Sequence, residues 1–363
     1  MKEETRELIR SLTEAFGPSG QEEQVRELIT SLVRPHVDGV RTDALGNLIC
    51  TRGPRRAGTA GGPPGTARAG TGTATAASGT AGAGGVKKVM LAAHMDEIGI
   101  MITHIDDKGF LRFGAIGGVS PHRCLGQRVV VGNGTLGVFG HEKLDDPKDL
   151  KFEKMFVDIG ASSREEAGEK VRIGDAAAFT RPLQRAGNRL VAKAMDDRIG
   201  CAVLVEVARR LGASPHEVHF VFTVQEEVGL RGARTAAFGL APDAAIAVDV
   251  TTTGDTPKAE TMEVSLGKGA AIKVKDASLI CHPGLRRSLE DTARAHGIPY
   301  QLEILERGGT DAGAMQLARE GVPAGVVSVP CRYVHTPSEM VDEGDVEACI
   351  ELLAKALEGP LEW

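Results

Sequence analysis

The chain has no run of about 18 apolar residues, the minimum for a helix that spans a bilayer. Its first residues, MKEETRELIRSLTEAF, read as a charged amphipathic helix with neither the apolar stretch nor the cleavage site of a secretory signal. A membrane partner is therefore not expected, and a cytoplasmic location is. The six cysteines (Cys50, Cys124, Cys201, Cys281, Cys331, Cys349) include no CxxC pair, and several lie inside apolar runs where a reduced thiol behaves as a small hydrophobe. Disulfides and cysteine metal sites are not expected. A basic excess is also missing: the net charge is -6 and the pI about 6.0, which argues against a nucleic-acid partner.

What is present is an ordinary globular composition, 42% hydrophobic and 25% charged, over 363 residues. That length exceeds what one hydrophobic core usually fills, so two folded units are expected. After the first helix, Ser19 and Glu22 have capping-box spacing before a second helix in QEEQVRELITSLVRP. VRTDALGNLICTRG reads as a short hairpin. From 53 to 85 the sequence is almost devoid of large apolar residues and reads as a disordered insertion. Between about 99 and 183, short β-like runs with glycine turns suggest a small inserted β-rich domain. That leaves a discontinuous main domain over 1–98 and 184–363. From Asn188 onward, helices alternate with continuous apolar runs: a helix over 197–212, VHFVFTV, a short helix, AAIAVDV, a helix near Asp311, AGVVSV and a helix over 343–357. This pattern predicts an α/β fold, a three-layer α/β/α unit with a mostly parallel sheet. Ligand crevices in such sheets open at the carboxyl ends of the strands.

The residues just past those apolar runs are of metal-ligand type. They are His94 and Asp96 after VMLAA, Glu226 and Glu227 after VHFVFTVQ, Asp249 in AIAVDV, and His335 after AGVVSVP, with Asp196 and Asp197 before a helix. Two histidines with three or more carboxylates suit Zn²⁺ or a comparable first-row ion, and the surplus of carboxylates suggests a second ion sharing a bridging ligand. Such a pair supports amide hydrolysis. Neighbouring residues on an extended segment point to opposite sides, so Glu226 and Glu227 should divide into one ligand and one base unless the chain bends. Asp96, two residues from His94, could accept the second imidazole N–H and fix the tautomer. Asp197 reads as a helix N-cap. Asp311 is equally a cap or a substrate-side group, and Arg332 and Tyr333 either meet substrate or brace the His335 loop.

The sequence resembles the tetrahedral-type metallo-aminopeptidases, the family of glutamyl and deblocking aminopeptidases with co-catalytic metals. The resemblance rests on PSGQE (18–22), DALGNLI (43–49), AHMDEIG (93–99), IGGV and GQRVVV, AKAMDDRIG, TVQEEVGLRGA, AVDVT, GGTDAG and PCRYVHTP, in family order over nearly the whole chain. It implies two divalent ions, Zn²⁺ or Co²⁺ with Mn²⁺ as a further candidate. One would be held by His94, Asp196 and Asp249, the other by Asp196, Glu227 and His335, with Glu226 as general base and Asp96 supporting it. It also implies peptide substrates with a free N-terminus, a barrel-like inserted domain used in dimerisation, and dimers that assemble into dodecamers. The insertion at 53–85 departs from that pattern. The runner-up from the residues alone is an amidohydrolase or deacetylase of a small acylated metabolite. Glycoside hydrolysis fits less well, because it uses two carboxyls about 5 to 9.5 Å apart across one bond, whereas these carboxylates read as ligands. A scaffold with a structural metal would have no use for Glu226, and structural zinc sites are usually closed and cysteine-rich.

Overall fold

The computed structural model describes residues 1–55 and 86–363, so most of the expected insertion at 53–85 lies outside the described residues. Four apolar strands, Glu217–Thr223, Lys88–His94, Ala244–Thr251 and Ala324–Arg332, pair in parallel in that spatial order. Their inward positions alternate with period two between the faces of the sheet. Val89, Leu91, Phe220, Phe222, Ile246 and Val248 pack on one side, and Met90, Ala92, Val221, Ala245 and Ala247 on the other. The first side is covered by helices Glu3–Glu14, Glu23–Val33, Met195–Arg210, Pro283–His296 and Glu343–Glu358, the second by Arg231–Leu240 and Asp311–Met315. The expected three layers are therefore present. Parallel pairing is confined mainly to the centre, because the hairpin Gly39–Thr42/Leu48–Arg52 and the strands Glu339–Asp342, Arg189–Ala192 and Gln184–Ala186 extend the sheet with antiparallel partners.

The segment from 252 to 310, which has no long apolar run to announce it, adds strands Ala270–Lys275 and Tyr300–Ile304 around helix Pro283–His296. Its proline at the start and Gly297 in left-handed conformation at the end are ordinary helix punctuation.

Six short antiparallel strands between Gly99 and Phe179 close into a barrel around Ile100, Ile102, Phe113, Val129, Phe139 and Val157. A buried ion cluster lies where the chain passes from the sheet to the barrel. Glu97, where the chain leaves the sheet, takes Lys193 Nζ at 2.6 Å and Arg198 Nη2 at 3.3 Å. The Arg198 guanidinium also donates to the carbonyls of Leu12, Ala15, Gly17 and Met95, which fixes the N-terminal helix to the end of the Lys88–His94 strand. No helix among the described residues is long and apolar enough to cross a membrane, and all six cysteines are buried with free thiols.

Candidate metal centre

His94 is the last residue of its strand, and in the parallel register it lies beside Thr223. Glu226 and Glu227 follow three and four residues beyond Thr223, Asp249 lies near the end of its strand, and His335 follows the strand ending at Arg332. These positions meet at the carboxyl edge of the parallel strands, lining a cavity of about 590 Å³ that also includes Asp196 and Gly118.

Asp196 sits between the two histidines. His94 Nε2 is 3.0 Å from its Oδ1 and His335 Nε2 is 3.2 Å from its Oδ2. His335 Nε2 is also 3.3 Å from Glu227 Oε1, and His94 Nε2 is 4.0 Å from Asp249 Oδ1. Two donor sets result, His94/Asp196/Asp249 and Asp196/Glu227/His335, each with its ligand atoms within 4.8 Å of one another.

A divalent cation fits this donor set on grounds of charge. Burial and the charge of Asp196 push Asp249 well above the usual range, and burial with Asp249, Asp311 and Glu227 does the same to Glu226. Against the opposing push of burial, hydrogen bonds with His335 and His94 hold Asp196 low, and hydrogen bonds to Asp196 and Glu227 raise His335 to about 11. So many buried carboxylates around two imidazoles need positive charge. Glu227 Oε1, buried and 3.3 Å from His335 Nε2, keeps a further lone pair to receive it.

The supporting contacts correct several sequence expectations. The His94 Nδ1–H bonds the backbone carbonyl of Asp96 at 3.1 Å, while the Asp96 carboxylate is 3.5 Å away. That carboxylate accepts the backbone N–H groups of Glu226 and Glu227 at 3.0 and 3.1 Å and the Ser19 hydroxyl at 2.6 Å. The chain does bend after Gln225, whose φ is +56, so Glu226 and Glu227 face the same cavity. The Ser19–Glu22 capping box is not formed: Ser19 is committed to Asp96, and Glu22 accepts the Gln225 N–H at 3.1 Å. Asn47 accepts the Val224 N–H at 3.0 Å, so the PSGQE and DALGNLI motifs both clamp the Glu226–Glu227 turn. Asp197 accepts the Gly200 N–H, as a cap would, and its other oxygen holds the His94 N–H. Thr310, not Asp311, caps the next helix. Asp311 is buried and accepts the Thr223 hydroxyl at 2.5 Å. Arg332 is a brace, bonded to both Asp255 oxygens at 2.9 and 2.6 Å.

Glu339 is the site residue that sequence reasoning passed over. It accepts the N–H of Asp196 at 2.9 Å and of His335 at 2.7 Å, fixing the aspartate shared by the two donor sets and His335 together. Its only sequence signal is a carboxylate four residues beyond His335.

A parallel sheet whose carboxyl edge presents two His/carboxylate donor sets sharing one aspartate is the site of a metallohydrolase. Residues 75–352 match the model of the M42 glutamyl aminopeptidase family. The chain is 48% identical to a protein of Acetivibrio thermocellus, over 98% of this chain and 99% of that one, and 36% identical to the lysyl aminopeptidase of Pyrococcus furiosus, over 97% and 96%. Among solved structures it resembles an aminopeptidase of the archaeon Desulfurococcus kamchatkensis (TM-score 0.87, 39% identity, 98% and 94% of the two chains). It also resembles the Pyrococcus horikoshii TET1 peptidase, which can assemble into a tetrahedron or a large octahedral shell (TM-score 0.80, 31% identity, 98% and 100%). The chain belongs to the M42 glutamyl aminopeptidase family and is a metal-dependent aminopeptidase.

Proposed function

We propose that the protein removes N-terminal residues from peptides at a site for two divalent cations, one held by His94, Asp196 and Asp249 and the other by Asp196, Glu227 and His335. The observation that carries this reading is the division of the Asp196 carboxylate between the two histidines, one oxygen to each. Bound there, the cations would supply Lewis-acid activation of water and of the scissile carbonyl. Glu226 lines the same cavity but belongs to neither donor set. It takes a proton from the attacking water and returns it to the leaving nitrogen, a role suited to a carboxylate whose proton affinity burial has raised. Asp96 acts through the backbone of Glu226 and Glu227 as a positioning residue.

In this reading residues 1–98 and 184–363 form the catalytic domain and 99–183 a dimerisation domain. Dimers assemble further, into a dodecamer, and the protein works in the cytoplasm. The ions are Zn²⁺ or Co²⁺, with Mn²⁺ as a further candidate, since His and carboxylate ligands accept all three.

The test is hydrolysis of aminoacyl-p-nitroanilides beside their N-acetylated counterparts, by protein stripped with chelator and reloaded with each metal. Metal-dependent cleavage of the free-amine compounds alone is expected. Cleavage confined to the acylated compounds would replace this reading with a small-molecule amidohydrolase.

A further inference from the structure

The two donor sets are supported from different parts of the molecule. His94, Asp196 and Asp249 are held by the sheet and by the segment entering helix Met195–Arg210. His335 and Glu227 are instead touched by the barrel. The strand Leu111–Ile116 is followed by Gly117 and Gly118, which lie directly against the second set. A Cβ on Gly117 would stand 2.9 Å from Glu227 Oε2, and Gly117 has φ +72, a conformation other residues rarely adopt. A Cβ on Gly118 would overlap His335 Nδ1 and stand 2.5 Å from Cε1. A few residues on, Arg123 reaches back to the catalytic unit, its Nη1 donating to the carbonyls of Val334 at 2.9 Å and His335 at 3.1 Å.

The loop so held needs holding. Tyr333 and His335 both have positive φ, 63 and 60, which non-glycine residues keep only when their surroundings impose it. Glu339 restrains the loop at the His335 N–H, and Arg123 at its carbonyls. Gly118 sets how far the imidazole can swing towards the barrel, since no side chain fits between them.

We propose that the barrel segment Gly117–Arg123 is a positioning element for one cation site only, fixing His335 and Glu227 in the orientation in which they and Asp196 bind a divalent metal. The inference rests on the two-site reading above. It makes the barrel part of the metal centre, and it assigns the IGGV glycines a task that no side chain could perform.

The experiment is a Co²⁺ titration of metal-stripped, full-length protein, followed by calorimetry and visible absorption. Gly118→Ala and Arg123→Ala are each placed in an Asp249→Ala background, which retains the Asp196/Glu227/His335 set, and in a His335→Ala background, which retains the other. In the first background each substitution should weaken Co²⁺ binding about tenfold or more and alter the absorption spectrum. In the second, affinity should be unchanged. Arg123→Lys, which keeps a donor for one carbonyl, should recover part of the loss. Arg123 is exposed, so its variants preserve the comparison if Gly118→Ala fails to fold. Equal losses in both backgrounds, or none in the first, would overturn the proposal while leaving two sites in place. Uptake of a single equivalent by the unmutated protein would overturn the two-site reading and this inference with it.

Discussion

Glu226 and Glu227 are chemically identical neighbours, and only their surroundings separate them. Glu227 Oε1 is 3.3 Å from His335, within a donor set, whereas Glu226 lies outside both sets. Replacing Glu226 with Gln should therefore lower kcat by about 100- to 10,000-fold while leaving metal content at the wild-type level. Steady-state kinetics paired with metal analysis checks this, and near-full turnover in the variant would remove the base from Glu226. Away from the cavity, Asp255 gives a separate residue-level test. Against the upward push of burial, Arg332, the Thr253 hydroxyl and the Leu266 N–H hold its carboxyl at about 2. An unfolded aspartate titrates near 3.9, so between these values the folded state binds fewer protons. The contribution, about 1–2 kcal/mol after allowing for partial exposure, is complete above about pH 4 and is lost as pH falls towards 2. Asp255→Asn should flatten that part of the acid unfolding profile and lower stability by a similar amount across the neutral and mildly alkaline range, where the carboxylate's contribution is complete.

Among elements, the strands and the gathering of carboxylates and histidines at their ends were legible in the sequence because burying a carboxylate beyond an apolar strand is costly without a partner. VHFVFTVQ running into Glu226 and Glu227 cannot be an ordinary surface turn, and AIAVDV cannot leave Asp249 unpaired. The contacts that aim those ligands were not legible, because each depends on a distant loop. Ser19 and Glu22 have the spacing of a local capping box, yet tertiary contacts with Asp96 and Gln225 prevailed over it. Glu339 is marked only by its spacing from His335 and Gly118 only by its place in IGGV, neither of which says what it touches, whereas helix Pro283–His296 carries a local signature in its proline start and glycine end. The joint between sheet and barrel is likewise tertiary. Glu97→Ala would leave Lys193 and Arg198 buried without their carboxylate, at a cost of about 3–5 kcal/mol. Denaturant unfolding measures it, and a Glu97→Ala/Lys193→Ala double variant should lose less than the sum of the single losses. Strict additivity would mean that the charges do not act as a unit.

For the whole molecule, cation binding and folding are linked. A ligand that binds only the folded state adds about 2.7 kcal/mol per site at 100 times its Kd, so chelation should lower Tm and reloading restore it. His335, held near 11 in partnership with Asp196 and Glu227, must give up its proton to become a ligand. Metal binding therefore releases protons, and affinity should rise with pH. Zn²⁺ titration calorimetry at mildly acidic and mildly alkaline pH, in buffers of different ionisation enthalpy, reads both the trend and the protons released.

The order in which the chain supplies its ligands has a biosynthetic consequence. His94 is made first, the barrel and Asp196 follow, and His335 with its brace Glu339 comes after all the other donors. A chain not yet translated as far as His335 lacks the Asp196/Glu227/His335 donor set, so the two-cation site proposed above cannot form in it. Competence that depends on both sets is thereby postponed until the barrel and every strand of the parallel sheet have been made.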